Sequence, residues 1–175
     1  MRKTGLIAGW AVFCLGIAYG VVLLMGLLSL KSPQDAIGDP YFSLLKLLII
    51  LIMPPVVIAL IALRERANAK TKVFGTIAAS FASIATAITC SVHFVILIAS
   101  RPIAATGLQH SELLFSFKWP SVAYALDILA WDFFFSLSLL FAVPLLGHKA
   151  LEKVIRILLI VSGVLSLAGL VAVSL

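Results

Sequence analysis

Along this chain apolar residues come in long unbroken runs, and polar residues gather between them. Five runs are long enough for a helix to cross a bilayer, which takes about 20 mostly apolar residues. They cover about 5–30, 42–63, 73–100, 120–147 and 154–174. Each is continuous, without the alternation of a transmembrane barrel strand, so each predicts a helix. The pattern therefore reads as all-α, a polytopic transmembrane helical bundle of five spans. The first run continues from Arg2 and Lys3 to Leu30 with no A-x-A cleavage signature, and reads as an uncleaved span.

The connections carry their own signals. "KSPQDAIGDPY" (31–41) is a turn rich in Pro, Gly and Asp, and "RERANAKTK" (64–72) is a solvated basic loop. In "HSELLFSF" (110–117), Ser111 is placed to cap a short helix. Leu113, Leu114, Phe115 and Phe117 are expected to rest on the lipid surface. "KWP" (118–120) sets a tryptophan at an interface and a proline where a helix starts. Short connections leave no room for a soluble domain, so residues 1–175 are read as a single integral membrane domain. No internal repeat is visible, and five spans do not divide into equal inverted halves.

Composition sharpens this picture. Hydrophobic residues make up 63% of the 175 and charged residues 11%, with a mean hydropathy of +1.21. Soluble domains carry about 25% charged residues, so the main solvent of this chain is lipid. The net charge of +6 does not point to nucleic acid, because the basic residues flank the spans. With the N-terminus cytoplasmic, Arg2, Lys3, Arg64, Arg66, Lys70, Lys72, Lys149, Lys153 and Arg156 fall inside. Lys31, Lys46, Arg101 and Lys118 fall outside, a division of nine to four that accounts for all 13. The expected topology is thus N-in and C-out, in a cell (inner or plasma) membrane.

In lipid, helices associate through small residues that let backbones approach. "GTIAASFASIATAITCS" (75–91) marks the third span as the central helix, with Ala79, Ala82 and Ala85 among its most buried residues. Gly5/Gly9 and Gly16/Gly20 in span 1, and Ser162/Ser166 with Gly163 and Gly169 in span 5, suit close packing within the chain or a homo-oligomer contact. Pro54 and Pro55 predict a kink in span 2.

Candidate chemistry lies in "YALDILAWDFFFSLSLLFAVPLL" (124–146), where Asp127 and Asp132 interrupt a lipid-facing composition. At about 1.5 Å per residue, Asp127 lies roughly 10 Å and His93 roughly 12 Å from the outer face, on two different spans. Lys46 enters span 2 at the same end, whereas Asp132 sits near mid-membrane. A charge at mid-span costs about 2.5–3.5 kcal/mol, so each carboxyl group requires a partner, a proton or water. His93 and Lys46 are the cations available to Asp127. Hydroxyls of span 3 or Tyr19 are the candidates for Asp132. Ser83, Thr86, Cys90 and His93 follow one helical stripe on span 3, and Asp127, Trp131, Phe134 and Ser138 follow one on span 4. Asp132 and Ser136 face another way.

No nucleotide-binding, hydrolase or metalloprotease motif occurs. Cys14 and Cys90 show no metal spacing, and Glu65, Glu112 and Glu152 lie in connections rather than in a diiron core. His93 is the one histidine inside a span, with His110 and His148 at opposite edges, which argues against haem. No cofactor or metal is expected. "WDFFF" (131–135), with Trp131, suits the wall of a pocket for a small apolar or lipid-like ligand.

The reading that follows is a non-enzymatic binding, accessory or interaction protein with a polar site in the outer half. That site comprises His93, Asp127, Asp132, Lys46 and Trp131. Its expected partners are the lipid bilayer, a homo-oligomer or larger membrane complex, and a small apolar or lipid-like ligand. One alternative is a small oligomeric transporter or channel using Asp127, Asp132 and His93. Another is an intramembrane enzyme with His93 and Asp127 as an acid/base pair. A cavity joining Asp132 to both faces favours transport. A closed pocket opening sideways to lipid near His93 favours a lipid binder or an enzyme, and a filled, dry bundle with every polar group paired favours the accessory role.

Overall fold

The structure is a computed structural model that describes residues 2–32, 35–147 and 149–174; His148 and Leu175 lie outside them. It is all-helical, with no strand among the described residues. Helix α1 spans Arg2–Leu28, α2 Tyr41–Arg66 and α3 Lys72–Ala105, followed by a single turn, α4, at Glu112–Phe115. The fourth span is composite. It consists of α5 (Val122–Ile128), a π-helical segment (Leu129–Phe135), α6 (Ser136–Ala142) and a 3-10 turn (Val143–Leu145). Helix α7 (Ala150–Ser174) follows. Among the described residues, five helices are long and apolar enough to cross a membrane.

The closest pairings follow chain order: α1 on α2, α2 on α3, α3 on the fourth span, and the fourth span on α7. Helix α3 is therefore central, packed on both sides. The stripe Ala78, Ala82, Ala85, Thr89, Val92 and Ile96 is buried, with Ala78, Ala82 and Ala85 fully enclosed. This face is offset from the hydroxyl stripe expected from sequence. Ser83 is exposed and returns its hydroxyl to the Ala79 carbonyl at 2.8 Å. Alanine permits the closest backbone approach, and a serine bonded to its own helix tolerates the periphery. On the fourth span, Phe134 and Phe141 answer this face through Phe81, at centroid distances of 6.3 and 5.8 Å.

Glycines show which helix pairs approach most closely. A Cβ on Gly5 would lie 2.5 Å from Ala62 Cβ, so α1 and α2 meet there. Gly9, Gly16 and Gly20 have nothing within 4 Å of a Cβ position. In span 5, Gly163 is the contact: its Cβ would meet Leu140 Cγ at 2.8 Å and the Ser136 carbonyl oxygen at 3.1 Å. Ser162, expected to share that role, is exposed.

Local chemistry explains the irregular helices. Pro54 has no N–H for the Ile50 carbonyl, and Cys90 of α3 places its sulfur 3.8 Å from that oxygen. Ser121 caps α5 by accepting from Tyr124 N at 3.1 Å, and it donates to the Ser116 carbonyl at 2.6 Å. In the π-helical segment the backbone turn is widened by one residue. Ser136 Oγ donates to the Trp131 carbonyl at 3.1 Å, bridging that wide turn. Ser111, in contrast, makes no side-chain cap to α4. Leu113 and Leu114 are exposed as expected, but Phe117 turns inward.

At the end bearing the basic loop, Arg64 Nε donates to Thr76 Oγ1 at 2.8 Å. Glu65 pairs with Lys72 at 3.1 Å and with Arg64. Elsewhere the surface is apolar: Trp10, Phe13, Ile17, Leu24, Leu158 and Leu165 are among many large exposed side chains. Such a surface is stable only in lipid.

Candidate functional site

His93 and Asp127 meet at the end of the bundle remote from the basic loop. His93 Nε2 lies 3.2 Å from Asp127 Oδ1. The pair bridges α3 and α5, and His93 is 4% exposed. Two helical periodicities bring it about: His93 lies beside the buried Val92 and Ile96 positions of α3, and Asp127 one turn below the buried Ala123 of α5. His93 Nδ1 is buried without a partner among the described residues.

Lys46 approaches from α2 and is 5% exposed. It forms no ion pair with Asp127. Its ammonium stands 3.0 Å from the Phe117 ring centroid and 5.0 Å from that of Phe42. Phe117 also packs on His93 and on Tyr124, each at a centroid distance of 5.3 Å. Phe42 and Phe117 therefore belong to the site, and neither was expected there. Phe42 had a readable signal, since one turn separates it from Lys46 on the same helix. Phe117 sits in a connection where no periodicity predicts its direction.

These groups line a cavity of about 650 Å³. Its polar wall consists of Tyr19, Lys46, His93, Asp127 and Trp131, and its apolar wall includes Leu23, Ile37, Leu45 and Ile49. Tyr19 belongs to α1 and Trp131 to the π-helical segment, yet α1 and the fourth span do not form a close-packed pair. The cavity thus lies between them. Its volume lies within the range of about 300–1,000 Å³ typical of small-molecule sites.

Asp132 is not part of this wall. The π-helical segment carries it toward α7, where its Oδ2 lies 3.6 Å from the Cβ position of Gly169. Neither a span-3 hydroxyl nor Tyr19 hydrogen-bonds to it among the described residues. The sequence had named Asp132 with His93 and Asp127 as candidates but on another face from Asp127, and the two aspartates are apart: Gly169 leaves room on the α7 side for the Asp132 carboxyl group. Thr86, Thr89 and Ser138 hold buried hydroxyls with no partner among the described residues, and they too lie apart from the cavity wall.

Metal chemistry has no assembled ligand set here: no group of three or more His, Cys, Asp or Glu converges among the described residues. What the site can do is bind. It offers donors from Lys46, Tyr19 and Trp131, one carboxylate engaged by histidine, and an apolar floor.

Fold and surface together define a small multi-pass membrane protein. No family model, curated protein or solved structure matches the chain.

Proposed function

We propose that this protein binds a lipid-like amphiphile in the cavity between α1, α2, α3 and the fourth span. In this reading it is a binding or accessory protein rather than an enzyme, with its site in the outer half of the membrane. The observation that carries the reading is the cavity itself, which combines a polar wall at the His93–Asp127 level with an apolar remainder. An amphiphile entering sideways keeps its chain in hydrocarbon throughout and exchanges only its head group between environments. A filled bundle would leave no such place, and the cavity lining does not extend to Asp132, as a path through the membrane centre would require.

Trp131 supplies the test, because it lines the cavity while Trp10 and Trp119 are exposed. In a variant with Trp10→Phe and Trp119→Phe, held in phosphatidylcholine nanodiscs, single-chain amphiphiles bearing a nitroxide on the chain should quench Trp131 saturably. Filling the cavity with Leu23→Phe and Ile49→Phe should remove the saturable component. Quenching that only rises in proportion to probe, with or without the filling substitutions, would contradict the reading.

A further inference from the structure

We infer that the head group this cavity takes is anionic, a carboxylate or phosphate monoester on an alkyl chain, and that Lys46 is the residue that holds it. The inference rests on the amphiphile-binding reading above and adds the chemical class of the ligand.

It starts from an imbalance on the cavity wall. Lys46 is an almost fully buried cation whose neighbours are two aromatic faces. A ring face attracts an ammonium through its quadrupole but does not replace a full hydrogen-bond acceptor. Lysine brings three donors and no acceptor. Among the described residues none of those donors meets a carboxylate, hydroxyl or carbonyl oxygen. The one carboxylate nearby, Asp127, is engaged by His93 at 3.2 Å. A cation left in this state in a low-dielectric wall is costly, and an anionic oxygen from the cavity relieves the cost.

The other polar groups point the same way. Tyr19 and Trp131 line the same space, and neither the Tyr19 hydroxyl nor the Trp131 indole N–H has a hydrogen-bond partner among the described residues. The wall therefore holds three donor groups that meet no acceptor, beside the one carboxylate, Asp127, that His93 engages. An acceptor-rich head group complements it, whereas an ammonium head would meet Lys46 as a like charge. The aromatic pair of Phe42 and Phe117, which might otherwise cradle a quaternary ammonium ligand, is already occupied by Lys46. Anion binding leaves Lys46 free to keep one aromatic face while turning N–H groups to the ligand.

The experiment uses the same single-tryptophan protein and one nitroxide-bearing chain with four heads: carboxylate, phosphate monoester, methyl ester and trimethylammonium. The carboxylate and phosphate chains should bind at least about tenfold more tightly than the ester, which corresponds to a hydrogen bond to a charged group. Lys46→Met should erase that preference, bringing the carboxylate and phosphate chains down to the affinity of the ester, and Lys46→Arg should restore it. Inorganic phosphate without a chain should fail to displace the probe. Equal binding of ester and carboxylate would overturn the inference while the amphiphile reading stands, as would tightest binding of the trimethylammonium chain. Displacement by inorganic phosphate at the concentration effective for the phosphate monoester would also overturn it, by making the ligand a free anion. Saturable quenching by none of the four would remove the amphiphile reading, and this inference with it.

Discussion

Gly163→Ala should loosen the seam between α7 and the fourth span, and the structure sets the size of the effect. A Cβ at this position would lie 2.8 Å from Leu140 Cγ, 3.0 Å from Leu140 Cδ2 and 3.1 Å from the Ser136 carbonyl oxygen. Carbon atoms pack best at about 3.5–4.0 Å. Leu140 can turn aside, but the Ser136 oxygen is backbone, so the helices must move apart or rotate. Overpacking of this kind costs about 1–3 kcal/mol. Replacing a helical glycine with alanine returns roughly 0.5–1 kcal/mol. The steric cost prevails, and the expected net loss is on the order of 1–2 kcal/mol. Gly16→Ala is the internal control, since nothing lies within 4 Å of its Cβ position; it should keep only the gain. Reversible unfolding in mixed micelles, followed by circular dichroism as the fraction of dodecyl sulfate rises, measures both. Agreement of the two variants within about 0.5 kcal/mol, the range of a surface substitution, would refute the close approach at Gly163.

Asp127→Asn retains the shape of the side chain and removes its charge from the bridge to His93. A hydrogen bond to a charged group contributes about 1.5–3 kcal/mol, so the thermal midpoint in detergent should fall, and an unchanged midpoint would show that the pair does not hold α3 to α5. For topology, a reporter inserted in the 64–72 loop should be active in the cytoplasm and one fused after Leu175 should be active outside it. The opposite pattern would reverse the assignment made from the nine-to-four distribution of Lys and Arg.

The five helices were legible because lipid leaves a chain few alternatives: backbone groups must bond internally, and about 20 apolar residues must continue without interruption. The meeting of His93 with Asp127 was legible too, since a fixed rise per residue gives each a depth from its own helix end. Rotation about the axis was harder to read. The π-helical segment at Leu129–Phe135 adds a residue to one turn, so faces counted through it at 3.6 residues per turn lose their phase. That is why the span-3 hydroxyls and Tyr19 were named for Asp132, although Gly169 stood in the sequence as the space beside it. Small residues on α1 could not be ranked either, because Gly5 and Gly16 have the same chemistry and differ only in what stands opposite. Phe117 illustrates a third limit. A connection has no repeat, and the direction of its side chains is set by distant residues such as Lys46 and His93.

Every residue in the cavity wall comes from the first 131 positions of the chain, between Tyr19 and Trp131. Helix α7 touches the site only through the helix it supports. The cavity wall is thus complete in sequence before α7 begins at Ala150, and α7 bears on it by packing against the fourth span.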